Sequence, residues 1–376
     1  LAIEKFSKIA ISPLPFTNYH LRFMKTVFHP IQLEHNPAKE FLDGEWVDYL
    51  ESVRRPQMIL AAIEQSQLGE VIAPADFGLA PMEAVHTPDY LDFLQTAYAR
   101  WIEEGRSPAG VYPDTFFKPA FLHRPAKIGA LAGLYTFDMS TVIVEHTWQA
   151  AYWSAQCALT AAKLVRDGER AAFALCRPPG HHAHANLGGG YCFINNAAVA
   201  AEWLLPHPSL PRQSGEGKGG SVCVLDIDFH HGNGTQAIFY ERSDVLFVSI
   251  HADPDRQYPY FLGGADERGA GAGEGFNLNM PLPIKSTDDQ FIAALDTACE
   301  RIAAYAPATL LVSLGVDTFG EDPLGDFAMT RAAYPRIGAR LAQLGLPTVF
   351  LMEGGYAIDA LGENVAGVLS SFEQHL

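Results

Sequence analysis

Apolar residues in this chain fall into two kinds of run. Short unbroken stretches, rich in Val, Ile, Leu and Phe, occupy residues 25–28, 71–73, 171–176, 221–228, 245–251, 308–314 and 347–352. Such runs without polar alternation predict strands buried on both faces, as in a parallel sheet. Between them lie segments with helical spacing at 54–67, 88–101, 148–165, 195–205, 235–240, 288–305, 330–344 and 357–372. In the first, Met58, Ile59, Ala62 and Ile63 share a stripe; in the sixth, Phe291, Ile292, Leu295, Cys299 and Ile302 do. Thr287 and Gln290 give that sixth helix a capping-box start. Repeated strand–helix alternation predicts a single-domain α/β fold: a doubly wound, mostly parallel sheet with helices on both faces.

Two stretches interrupt the alternation. Residues 206–220 read as a polar loop. Residues 103–126 form a long Pro/Gly- and aromatic-rich excursion, and excursions of that length are usually functional or interfacial. Met24 opens the first strand and is a candidate start. Residues 1–23 are then an extension of uncertain origin, and 24–376 the catalytic domain.

Composition narrows the classes of function. The chain has 376 residues, 48% hydrophobic, with a net charge of −17. That balance argues against nucleic-acid phosphate as a partner and suits cationic ligands, although an ordinary acidic surface would look the same. The five cysteines form no CxxC pair, which fits reduced, buried thiols in a cytoplasmic protein. No apolar run approaches a membrane span, and residues 1–23 make a poor secretory signal.

Polar clusters follow four of the strands: 177–196, 226–234, 317–326 and 353–356. In open α/β sheets ligands gather at the carboxyl ends of strands, so four such clusters point to one site. Asp228 and His230, two apart, project to the same side and can share a cation. Asp317 is the best third ligand, with a helix N-cap as its other role. Oxygen and nitrogen donors suit Zn²⁺ or Fe²⁺, and spacing does not choose between them. The tandem His181 and His182, on a Pro–Pro–Gly turn, suit proton transfer near neutral pH; Asp226 and Asn233 are candidate partners for their second ring nitrogens. His184 lacks that support and reads as peripheral. Tyr356, presented by Gly354-Gly355, can stabilise an oxyanion if it stands opposite a metal, with core packing as its other role.

The ordered motifs RPPGHH, GGGYCFINN, DIDFHHGNG, GVDTFGEDP and EGGY resemble those of the histone deacetylase superfamily, with the arginase–deacetylase fold. Within it the chain most resembles the bacterial acetylpolyamine amidohydrolases, then the class II-like deacetylases. The resemblance implies zinc on Asp228, His230 and Asp317. It implies a catalytic pair His181 and His182 backed by Asp226 and Asn233, with Tyr356 polarising the carbonyl. Asn233 stands where class I deacetylases have aspartate. Structural potassium is implied at Asp226, Asp228, His230, Ser249 and Ile250, and a second ion at Phe239, Arg242, Val245 and Phe276. Tyr191, Phe261, Gly190 and Leu324 match channel positions, and Arg55 an arginine behind the metal. The 103–126 excursion resembles an insertion that builds a homodimer and narrows the channel; Glu103, Glu104 and Asp114 are candidates there for a distal ammonium.

The expected activity is therefore zinc-dependent hydrolysis of an acetylated amine to acetate. N-acetylcadaverine, N-acetylputrescine or a similar small cationic acetylpolyamine is the expected substrate. Lysine deacetylation on a protein or peptide is the rival substrate class, and a silent acyl-group or metal sensor the rival of another class. A ureohydrolase would need a second metal and a DxD partner that Asp317 lacks.

Overall fold

The protein is described from a computed structural model covering residues 24–120, 123–205 and 220–376. The extension 1–23, most of the 206–220 loop and two residues of the 103–126 excursion lie outside the described residues. The chain begins with strand β1 (Lys25–Val27), a hairpin of β2 (Lys39–Leu42) and β3 (Glu45–Asp48), helix α1 (Arg54–Gln65), and β4 (Val71–Ile72). Helices α2 (Ala80–Glu83), α3 (Pro88–Glu103), α4 (Ile128–Tyr135) and α5 (Thr147–Arg166) lead to β5 (Ala171–Ala174) and α6 (Asn196–Leu204). Then follow β6 (Val222–Asp226), α7 (Asn233–Phe239), β7 (Val245–Ala252), β8 (Asn277–Leu282), α8 (Asp288–Tyr305), β9 (Thr309–Leu314), α9 (Ala333–Ala342), β10 (Thr348–Met352) and α10 (Ile358–Gln374).

Eight strands form one sheet in the order β4-β1-β5-β10-β9-β6-β7-β8. Every pairing in it is parallel. The alternation of side chains along each strand explains the unbroken apolar runs. Cys223, Leu225, Leu310, Val312 and Phe350 pack on the face covered by α1, α8, α9 and α10. Val222, Val224, Leu311, Val349 and Leu351 pack on the opposite face, against α5 and α6. With both faces covered, neither set can be polar. The capping box forms as expected, with Thr287 N–H donating to Gln290 Oε1 at 2.9 Å. The sequence patterns do not reveal the β2–β3 hairpin, β8 or α4, which are short or unevenly apolar.

The strand order places β5, β10, β9 and β6 side by side. These are the four strands that precede the four polar clusters. Their carboxyl ends make one crevice, because the chain leaves β5 for β6 and only later inserts β9 and β10 between them.

Several buried histidines have lowered pKa values and give the fold a pH dependence, and His86 is one whose share can be measured. His86 Nε2 accepts the backbone N–H of Asn195 at 3.0 Å, and burial lowers its pKa from 6.5 to about 4. Below pH 6.5 the unfolded chain protonates this group while the folded chain does not, so stability falls as pH drops towards 4 and levels off below it. At pH 5 this contribution is about 2 kcal/mol, or about 2–3 °C in Tm for a chain of this size. The buried carboxyls Glu40 and Glu353, raised to about 7, slope the other way, so the comparison must be differential. His86→Gln is expected to shrink the Tm change between pH 7 and pH 5 by that amount, measured by calorimetry; an unchanged difference would show that His86 is not the group responsible.

Candidate active site

Asp228, His230 and Asp317 meet at the carboxyl ends of β6 and β9, with ligand-capable atoms all within 4.8 Å of one another. His230 Nδ1 lies 3.3 Å from Asp228 Oδ1 and 3.0 Å from Asp317 Oδ2. Both carboxylates are fully buried and are aimed by backbone N–H donors. Phe229 donates to Asp317 at 2.8 Å, and His230 and Gly354 donate to the two oxygens of Asp228, each at 2.8 Å. Glycine makes the close approach possible. A Cβ on Gly354 would stand 2.3 Å from Asp317 and 2.6 Å from Asp228, and one on Gly315 2.1 Å from Asp228. Two buried carboxylates at this distance disfavour each other's ionisation; burial and Asp228 push Asp317 up to about 7. A divalent cation would remove that penalty, and the donor set of two oxygens and one nitrogen fits one. A second buried group able to bind a cation, His181 with Cys192 and Glu353, adjoins it.

The tandem histidines stand over these ligands, with ring centroids 4.0 Å apart. His181 Nδ1 is 2.9 Å from Asp226 Oδ2, an oxygen that only accepts, so Nδ1 carries the proton and Nε2 faces the site. His182 Nδ1 is 2.7 Å from Asn233 Oδ1, and Asn233 Nδ2 donates to His184 Nε2 at 3.2 Å. His184, read from sequence as peripheral, therefore fixes the orientation of the asparagine amide. Their surroundings drive the two imidazoles apart. Burial opposes charge on both, but the carboxylates of Asp226, Asp228 and Glu353 overcome it at His181, raising its pKa to about 10. His182 has no carboxylate partner, and burial with the neighbouring His181 and His230 lowers it well below 6.5. A neutral base beside a cationic acid is the division that proton transfer needs.

Three residues to which the sequence reading assigned no role hold this geometry. The buried Glu353 carboxylate accepts the Gly180 and His181 backbone N–H groups and the Ser313 hydroxyl, pinning the histidine turn to the end of β10. Asp322 accepts the N–H of Tyr356 at 2.6 Å and of Ala357 at 2.9 Å, which sets the tyrosine. Glu51 pairs with both Arg55 and Arg177 in the interior. Arg55 in turn donates to the carbonyls of Glu353 and Gly355 and lies 4.8 Å from the centre of the Tyr356 ring.

Aromatic rings rise from this floor. Tyr191, held at φ 66, lies 5.6 Å from Tyr356, and both pack with Tyr49, Val142 and Leu324. The Tyr191 hydroxyl donates to Glu40 at 2.8 Å. A Cβ on Gly190 would stand 2.2 Å from the His182 ring, so that position must be bare. Phe261 is not part of this group. It is 95% exposed, and Tyr260 just before it has φ 71. Tyr258 takes the place instead, with its ring centre 5.0 Å from His182 and 5.9 Å from His230. In sequence it is one aromatic among several in a turn-rich segment, which is too little to find it.

The remaining candidates are dispersed. Register pairs Asp226 with Ser249 on adjacent strands, and Ile250 follows, all buried. Phe239, Arg242, Val245 and Phe276 lie around the α7–β7 connection, where Arg242 is already paired with Glu202 and Asp244. Glu104 and Asp114 both pair with Arg106 at the surface.

The chain is similar to known proteins over most of its length. A model of the histone deacetylase domain matches residues 49–372. Acetylpolyamine amidohydrolase 1 of Pseudomonas aeruginosa is 50% identical over 93% of this chain and 99% of its own length. The acetylpolyamine amidohydrolase of Mycoplana ramosa is 42% identical over 92% and 98%. Among solved structures, the acetylpolyamine aminohydrolase from Burkholderia pseudomallei superposes with a TM-score of 0.86 at 40% identity, covering 94% of this chain and 99% of that one.

Proposed function

The chain belongs to the histone deacetylase family, and from that premise we propose that it is a metal-dependent amidohydrolase that removes acetyl groups from small acetylated polyamines. The observation that carries the reading is the pair of histidines, each with its Nδ1–H held by a fixed acceptor, beside a carboxylate–histidine–carboxylate cluster. Asp228, His230 and Asp317 would hold the metal, proposed to be zinc. When bound, the ion supplies Lewis acidity that polarises the acetyl carbonyl and makes water acidic near neutral pH. Tyr356, buried and kept protonated well above pH 10, offers its hydroxyl to the carbonyl oxygen as negative charge develops. His182 accepts the proton of the attacking water at Nε2, and His181 carries the positive charge that balances the intermediate and supplies a proton to the leaving amine. The rings of Tyr191, Tyr258 and Tyr356 exclude water around a linear alkyl chain.

The proposal extends to potassium at Asp226, Asp228, His230, Ser249 and Ile250, where buried oxygens on adjacent strands support a monovalent ion. The second ion at Phe239, Arg242, Val245 and Phe276 rests on the resemblance alone. So does a homodimer joined through residues 103–126, where Phe117 presents apolar surface. Five free, buried cysteines suit the reducing cytoplasm. No helix among the described residues is long and apolar enough to cross a membrane.

Steady-state hydrolysis of N-acetylcadaverine, N-acetylputrescine and an acetyl-lysine peptide by zinc-reconstituted protein tests the reading. Diamine turnover well above the peptide rate is the expected result. Preference for the peptide would move the protein to lysine deacetylation, and no turnover of any of them would sink the enzymatic reading.

A further inference from the structure

One carboxylate joins the two sides of the aromatic channel. Asp138, on the segment between α4 and α5, accepts through Oδ1 from Ser140 N–H, Thr141 N–H and the Thr141 hydroxyl. Those bonds, at 2.9–3.2 Å, fix the carboxylate on its own turn. Its other oxygen, Oδ2, reaches across. It accepts the Tyr258 hydroxyl at 2.8 Å, from the loop after β7, and the backbone N–H of Gly190, the residue before Tyr191. The Tyr258 ring is held from behind by Phe137, stacked at 6.1 Å and 22°, and Phe137 itself lies on Gly189, where a Cβ would stand 2.0 Å from its ring. The opposite wall is fixed by the Tyr191 hydroxyl on Glu40. The position of a single oxygen atom therefore sets the gap between a wall carried by residues 253–264 and a wall carried by residues 188–192.

We propose that Tyr258 and Asp138 together determine specificity: their hydrogen bond holds the channel narrow, so that it admits an unbranched acetylated alkyl amine and penalises a lysine carried on a peptide backbone. The inference rests on the deacetylase reading of the same site. Tyr258 acts here as a positioning residue, through its hydroxyl, while its ring remains a wall. A phenylalanine at 258 would keep that wall and lose only the tie.

The test compares zinc-reconstituted wild type, Tyr258→Phe, Asp138→Asn and the double variant on N-acetylputrescine and an acetyl-lysine peptide. Tyr258→Phe is expected to raise KM for the diamine several-fold, more than it lowers kcat. The ratio of diamine to peptide kcat/KM should fall at least tenfold. Asp138→Asn, which sets an amide against two donors, should shift the ratio the same way. The double variant should be no further shifted than Asp138→Asn alone, because both remove one link. A ratio unchanged within twofold in Tyr258→Phe, equal losses on both substrates, or additive effects in the double variant would each overturn the proposal. Hydrogen exchange measures the tie without turnover: Tyr258→Phe should speed amide exchange in residues 253–264 and at Gly190 by about five- to tenfold, and unchanged exchange would overturn it. Wild type preferring the peptide would refute the polyamine reading alone, since the shift in ratio is still read against wild type; wild type inactive on both leaves exchange to decide the tie.

Discussion

Tyr356→Phe is expected to lower kcat on the preferred acetylated amine by about 10²–10³-fold, the loss typical of removing one oxyanion donor, with KM changed by less than about threefold. The argument is geometric. Asp322 holds the Tyr356 backbone, Arg55 lies against its ring, and Tyr191, Tyr49 and Leu324 pack around it. Phenylalanine keeps all of those contacts, so the fold and the alkyl channel survive. What disappears is a buried phenol that burial holds protonated, and hence a donor, throughout the working pH range. Because charge builds on the carbonyl oxygen only as water attacks, the loss should appear in kcat and not in KM. Steady-state kinetics beside a thermal melt separates this from unfolding. A rate within tenfold of wild type, with Tm intact, would take Tyr356 out of the reaction.

Asp317→Ala is expected to remove the metal along with the activity. Purified wild type should carry about one equivalent of bound divalent ion, and the variant a small fraction of that, by elemental analysis. Chelation of wild type should abolish turnover, and zinc should restore it; in Asp317→Ala zinc should restore nothing. Stability gives a second readout. Bound zinc would relieve the burial cost of Asp228 and Asp317, so adding it should raise the Tm of metal-free wild type and leave the variant unmoved. The sign of the pH dependence also follows. Against its burial, Asp228 and Asp317 raise His230 to about 9, and Asp317 itself titrates at about 7, so a cation must displace these protons. Metal affinity should therefore rise from about pH 6 to about pH 9. An Asp317→Ala protein that keeps full metal content would place the ion elsewhere, with the adjoining His181, Cys192 and Glu353 group the next to examine.

Much of this site is legible in the linear sequence, for a physical reason. A strand buried on both faces must be apolar without interruption, so a polar cluster at its end marks the edge of the sheet. Asp228 and His230 could be paired because alternate residues project to one side. Thr287 and Gln290 could be read because a capping box closes within one turn. These are local constraints, carried by neighbours a few residues apart. The juxtaposition of the four clusters is not local. It depends on β9 and β10 inserting between β5 and β6, which only the assembled sheet decides. The same holds for the residues that tune the site. Asp138 and Tyr258 are 120 positions apart on loops without period, and Glu353 meets Gly180 across 173. His184 gained its role from Asn233, 49 residues away. Phe261 shows the limit most sharply. It lies three residues from the Tyr258 ring that packs against His182, yet its own side chain is 95% exposed. Composition and spacing determine which residues are available to the chemistry; the backbone path through loops decides which of them reach it.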